Sequence, residues 1–140
     1  QFNKRQKMAK ANILLVESDA VASISLMIFL VGNEYNVMCV ATIEEAIQHC
    51  DQHIVDIIIT ELSSKVNGFR LVGYLNEQKK SPIVIGVVDT QPDNILLLTL
   101  AGESGINIMF KKPVTQDLLL GYIEKELRER QLFCGPFSNN

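Results

Sequence analysis

Two apolar runs constrain the fold more than anything else in the chain. Val55-Asp56-Ile57-Ile58-Ile59-Thr60 and Ile83-Val84-Ile85-Gly86-Val87-Val88 are β-branched and do not alternate apolar with polar. A strand with one wet face alternates, so unbroken runs of this length predict strands buried on both faces, the signature of a central parallel sheet. Parallel neighbours need crossover connections, and the intervening segments supply them.

Three further runs read as strands: Ile13-Leu14-Leu15-Val16, Tyr35 to Val40, and Ile106 to Phe110. Between them lie segments with helical signals. Val21, Ile24, Met27, Ile28 and Val31 recur at the spacing of an amphipathic helix, with Asp19 placed to cap it and Gly32-Asn33 to stop it. Thr42 and Glu45 form a capping box opening a helix to about Cys50. A third helix carries Phe69, Leu71, Val72 and Leu75, and a fourth spans about Asp93 to Gly102 behind Pro92. The last runs from Gln116 to about Leu132, with Thr115 as its cap. Five strands alternating with five helices predict an α/β fold, a doubly wound parallel sheet in a three-layer sandwich. One domain over 11–132 is expected, with a flexible arm at 1–10 and a disordered tail at 133–140.

Composition removes several function classes. Thirteen basic and 16 acidic residues give a net charge of −3, without the basic footprint of a nucleic-acid binder, although Lys4, Arg5, Lys7 and Lys10 cluster near the start. No apolar run reaches the length of a membrane span, and no signal-peptide layout opens the sequence. Cys39, Cys50 and Cys134 are odd in number and widely spaced, which reads as free thiols in a reducing cytoplasm. His49 and His53 have no acidic or cysteine partner at ligand spacing. There is no Walker loop, dinucleotide fingerprint or nucleophile elbow.

In a doubly wound sheet, ligands sit beyond the carboxyl ends of the strands. Those ends carry Glu17, Ser18 and Asp19; Thr60 and Glu61; Val87, Val88 and Asp89; and Lys111, Lys112 and Pro113. If the first and third strands are neighbours, Glu17, Asp19 and Glu61 form an acidic group with a lysine at its rim. Such a group requires a hard cation, a lysine or a proton to offset its charge. The plainer reading is that Asp19 caps a helix and the others are solvated loop acids.

These residues resemble the receiver domain of two-component response regulators. The resemblance rests on Ile13–Asp19, on Val55–Leu62 followed by Asn67-Gly68, on Pro82–Ile85, and above all on Gly105–Val114 with its Lys112-Pro113 pair. It implies the strand order 2-1-3-4-5 of a flavodoxin-like sandwich. It also implies that a strand-one acidic pair helps hold Mg²⁺, an aspartate after strand three accepts a phosphoryl group, a Thr or Ser after strand four senses it, and the lysine contacts its oxygens. This chain keeps Glu17 and Lys112 but has Ser18 at the second acid and Val87 at the hydroxyl. Counting from Asp56 places the acceptor at Glu61, and counting back from Gly68 places it at Thr60. Neither is aspartate, and the longer arm of glutamate displaces the attacking oxygen by more than about 1 Å. The expectation is a degenerate receiver that signals through protein contacts, without catalysis or a cofactor. Any Mg²⁺ site falls to Glu17 and Glu61. The alternative is an atypical phosphoacceptor using Glu61 or Thr60.

The expected docking surface is that of the fourth helix, fifth strand and fifth helix. Ile95, Leu96, Leu97 and Leu100, with Met109, Leu118, Leu119 and Tyr122, exceed what one buried stripe uses, and a homodimer is the simplest occupant. The sequence leaves open whether the chain stands alone or belongs to a larger signalling protein, and which kinase it answers to.

Overall fold

The computed structural model describes residues 8–89 and 101–138, with side chains through 131. Strands β1 (Asn12–Val16), β2 (Asn36–Val40), β3 (Ile57–Glu61), β4 (Ile83–Val88) and β5 (Ile108–Lys111) form one sheet in the order β2-β1-β3-β4-β5. Every pairing is parallel. Helices α1 (Ala20–Gly32), α2 (Ile43–Gln52), α3 (Gly68–Glu77) and α5 (Gln116–Ser138) cover it. Residues 101–104 are also helical and are numbered α4. Ile95, Leu96, Leu97 and Leu100 lie outside the described residues. The fold is the α/β sandwich expected from the unbroken runs, with the strand order the resemblance implied.

The pleat divides the core in two. Ile13 and Leu15, Ile57 and Ile59, and Ile83 and Ile85 pack on one side with Leu26 and Leu30 of α1 and Leu119 and Ile123 of α5. Leu14 and Val16, Ile58 and Val84 face the other side, against Ile43 and Ala46 of α2 and Leu71 and Leu75 of α3. Local signals hold at two helix starts. Asp19 accepts from the Val21 and Ala22 amides at 2.9 and 3.2 Å, and the Thr42/Glu45 capping box forms.

Several expectations need correction. β3 starts at Ile57, because Asp56 belongs to the crossover: its Oδ2 accepts from the Asn12 amide at 2.7 Å. β5 starts at Ile108, because the Ile106 amide donates to the Ala101 carbonyl and closes the preceding helix. The last helix does not stop near Leu132 but continues to Ser138, through most of the segment assigned to a disordered tail. The largest departure concerns α1. Its core face is Ser23, Leu26 and Leu30, and the stripe of Val21, Ile24, Ile28 and Val31 points into solvent.

One glycine is fixed by space. A Cβ on Gly68 would lie 2.9 Å from the Glu61 carbonyl oxygen, 3.0 Å from Thr60 Cγ2 and 2.5 Å from Leu62 Cδ2. Backbone cannot yield as a side-chain tip can, so Gly68→Ala is expected to cost about 1–3 kcal/mol, read as a lower urea midpoint. An unchanged midpoint would show that the β3–α3 loop relaxes freely.

Candidate functional site

Register places the chemistry. Val16 pairs with Thr60, so Glu17 leaves β1 beside Glu61, the last residue of β3. Glu61 pairs with Val87, and Val88 with Lys111, which brings Lys112 to the same end of the sheet. Glu17, Glu61, Val87 and Lys112 line a cavity of about 330 Å³ whose apolar wall includes Leu26, Ile59 and Val114.

Glu61 is 5% exposed and held at both oxygens. The Ser18 amide and hydroxyl donate to Oε1 at 3.1 and 2.9 Å, and the Ser63 hydroxyl donates to Oε2 at 2.6 Å. Ser63 is itself fixed, because its Oγ accepts from the Val66 amide at 3.0 Å. Glu17, 8% exposed, accepts through Oε2 from the Asp19 amide at 3.0 Å and from Lys112 Nζ at 3.1 Å. Lys112 Nζ also stands 3.7 Å from Glu61 Oε1 and 3.7 Å from Asp89 Oδ1.

The two buried carboxyls are driven apart. Burial raises the pKa of both. For Glu61 that push is outweighed by hydrogen bonds from Ser63 and Ser18, which hold the carboxylate well below its ordinary range. For Glu17 burial wins, helped by the neighbouring Glu61 charge, against the Asp19 amide and Lys112. Burial alone would lower the Lys112 pKa, but Glu17, Glu61 and Asp89 together raise it. The ammonium is thus the counter-charge of the pocket.

The sheet brings together Glu17, Ser18, Glu61, Val87 and Lys112. Asp19 turns its carboxylate to the α1 amides. Thr60 is fully buried, and its hydroxyl donates to the Glu61 carbonyl at 3.1 Å. Of the two positions left open by the sequence, Glu61 is the one whose side chain lines the cavity. Ser63 escaped the sequence reading; a hydroxyl two residues beyond the strand-end acid, in a loop that turns back, was its signal. Asp89, noted only as a strand-end acid, completes the lysine's surroundings. On the expected docking surface Leu118 is 65% exposed, Met109 is half-buried, and Tyr122 meets the Phe110 ring edge-on at 6.4 Å. Leu119 is fully buried and is not a surface residue, because α5 turns it into the core cluster with Ile59, Ile85 and Ile123.

A Mg²⁺ ion needs several free oxygens in near-octahedral array. Both Glu61 oxygens already accept hydrogen bonds, and the Lys112 ammonium lies against Glu17 and Glu61. No group of three or more His, Cys, Asp or Glu converges as a metal site among the described residues. This donor set does not fit the ion. A larger cavity, about 460 Å³, opens at the opposite, amino end of β3 and β4, where Lys80 and Arg130 donate to the backbone carbonyls of Cys50 and Ser81.

Solved structures match the whole architecture. A CheY-like response regulator receiver domain protein from Methanospirillum hungatei JF-1 shares 20% identity at a TM-score of 0.78, covering 86% of this chain and 96% of that one. A two-component response regulator from Clostridium difficile shares 21% at 0.77, covering 85% and 97%. The signal receiver domain of an HD domain-containing protein from Pseudomonas fluorescens Pf-5 shares 24% at 0.76, covering 86% and 97%. No curated protein matches the sequence. The family model of the response regulator receiver domain matches residues 13–124, so strand order, lysine-bearing fifth strand and sequence profile agree: the chain belongs to the response regulator receiver domain family.

Proposed function

We propose that the chain is a two-component-type signalling module that acts through protein–protein contacts and does not depend on an aspartyl phosphate. The observation that supports this most is the state of Glu61. Its carboxylate stands at the mouth of β3, is held by three hydrogen bonds and faces Lys112. A carboxylate so engaged is a poor nucleophile and a permanent negative charge. On this reading Glu61 and Lys112 hold one state of the domain without a donor. Val87, 4% exposed and lacking a hydroxyl, offers no polar link from the pocket to the chain that follows β4. The signal is read by a protein partner on the surface of β5 and α5, where Leu118 stands out from the helix.

The test is intact-mass measurement after incubation with a small-molecule phosphodonor and Mg²⁺. The mass is expected to stay unchanged. A phosphoryl adduct on Glu61 or Thr60 would replace this reading with that of an atypical phosphoacceptor.

A further inference from the structure

Helix α1 contains 13 residues and not one charge. Its solvent face carries Val21, Ile24, Ile28 and Val31, exposed by 79, 53, 64 and 52%. A surface helix ordinarily turns charged and polar side chains outward. Steps of three, four and three residues are those of the seam between two packed helices.

The order of the stripe identifies the occupant. Val, Ile, Ile, Val reads the same from either end, with the same spacing. A two-fold axis through the middle of α1 sets Val21 on Val31 of a second copy, and Ile24 on Ile28, so the face is complementary to itself. We propose that α1 is the seam of an antiparallel homodimer of this chain.

Area and charge agree with that occupant. Each stripe residue presents on the order of 100 Å², so two copies cover roughly 800 Å² from the stripe, and about 1,000 Å² once the flanking Ser25 and Gly32 are included. That is the lower bound of a specific interface, and a dissociation constant in the micromolar range or weaker follows. Two uncharged faces meet without like-charge repulsion, and antiparallel helices oppose their dipoles favourably. A membrane surface is the poorer match, because interfacial helices flank their apolar face with Lys and Arg, which α1 lacks.

Sedimentation equilibrium of the full chain, from roughly 1 to 300 µM, reads the association. Ile28→Glu and Ile24→Lys, each at an exposed position, are expected to raise the dissociation constant at least about tenfold by burying an unpaired charge. Combining I24K and I28E in one chain recovers association, because the antiparallel register sets the new amine against the new carboxylate across the axis. Ile54→Glu, at an exposed position away from α1, leaves the association unchanged. Circular dichroism checks folding, and the milder Val31→Ser serves where a charged variant unfolds. The proposal fails if the chain is monomeric throughout, if Ile28→Glu leaves association intact, or if the combined variant associates no better than the single ones. It also fails if the stripe binds a different protein while the chain itself stays monomeric.

Discussion

Lys112→Ala is expected to lower stability at pH 7 by about 2–3 kcal/mol. Removing one partner of a buried pair typically costs more, but Lys112 keeps 24% of its side chain exposed and the solvent screens part of the loss. The cost comes from what is left behind: Glu17 and Glu61, 8 and 5% exposed, with no cation between them. Lys112→Met separates charge from packing, since it keeps the stem that lies along the cavity wall. If the charge matters, methionine does little better than alanine; if packing matters, methionine restores stability.

The pH dependence has a definite sign. The pKa of Glu17 is raised in the native protein, so the native state binds more protons there, and stability falls as pH rises from the ordinary carboxyl range through that raised value. That of Glu61 is lowered to about 2, so its contribution is present above the ordinary value and is lost as pH falls toward it. That of Lys112 is raised, so its contribution is present below 10.5 and is lost above the raised value. As pH falls, Glu17 takes up its proton first, the like charges are relieved, and the penalty of Lys112→Ala shrinks. Urea unfolding of both proteins at pH 7 and near pH 4.5 reads this difference. A penalty that is equal at the two values would remove Lys112 from its role as counter-charge.

The sequence disclosed the sheet because burial on both faces leaves a mark in each central strand that needs no partner to interpret. It disclosed the caps at Asp19 and Thr42 because those bonds reach only two or three residues. It misdirected α1 for a physical reason. Periodicity locates a buried face only where the opposite face is polar, and α1 is apolar nearly all round, so the outward stripe satisfies the helical period as well as Leu26 and Leu30 do. The choice between Glu61 and Thr60 was legible in principle. Alternation along β3 puts Glu61 on the side of Ile57 and Ile59, toward α1 and α5, and Thr60 on the side of Ile58. Ser63 was less so, because its reach to Glu61 depends on the tight return of the loop, where Leu62 bridges Asn67 and the Ser63 amide donates to the Val66 carbonyl.

On the proposed reading, changing three positions together is expected to turn the pocket into a phosphoacceptor. Ser18→Asp, Glu61→Asp and Val87→Thr act on different deficits. Glu61→Asp withdraws the carboxylate by one methylene, a displacement of about 1 Å, which is on the scale that changes rates a hundredfold, and it frees the oxygen now held by Ser63. Ser18→Asp supplies a second acid beside Glu17 for a cation. Val87→Thr places a hydroxyl opposite the strand-three acid, since residues 61 and 87 pair across the sheet. Intact mass after treatment with a small phosphodonor should show one phosphoryl group on the combined variant only when Mg²⁺ is present, at a rate at least about a hundredfold above the parent chain. The added acid crowds the pocket with like charge, so the variant should melt lower than the parent without the ion and recover when it is added. A folded combined variant that takes up Mg²⁺ and still gains no mass would show that these three positions are not what keeps a phosphoryl group from the site.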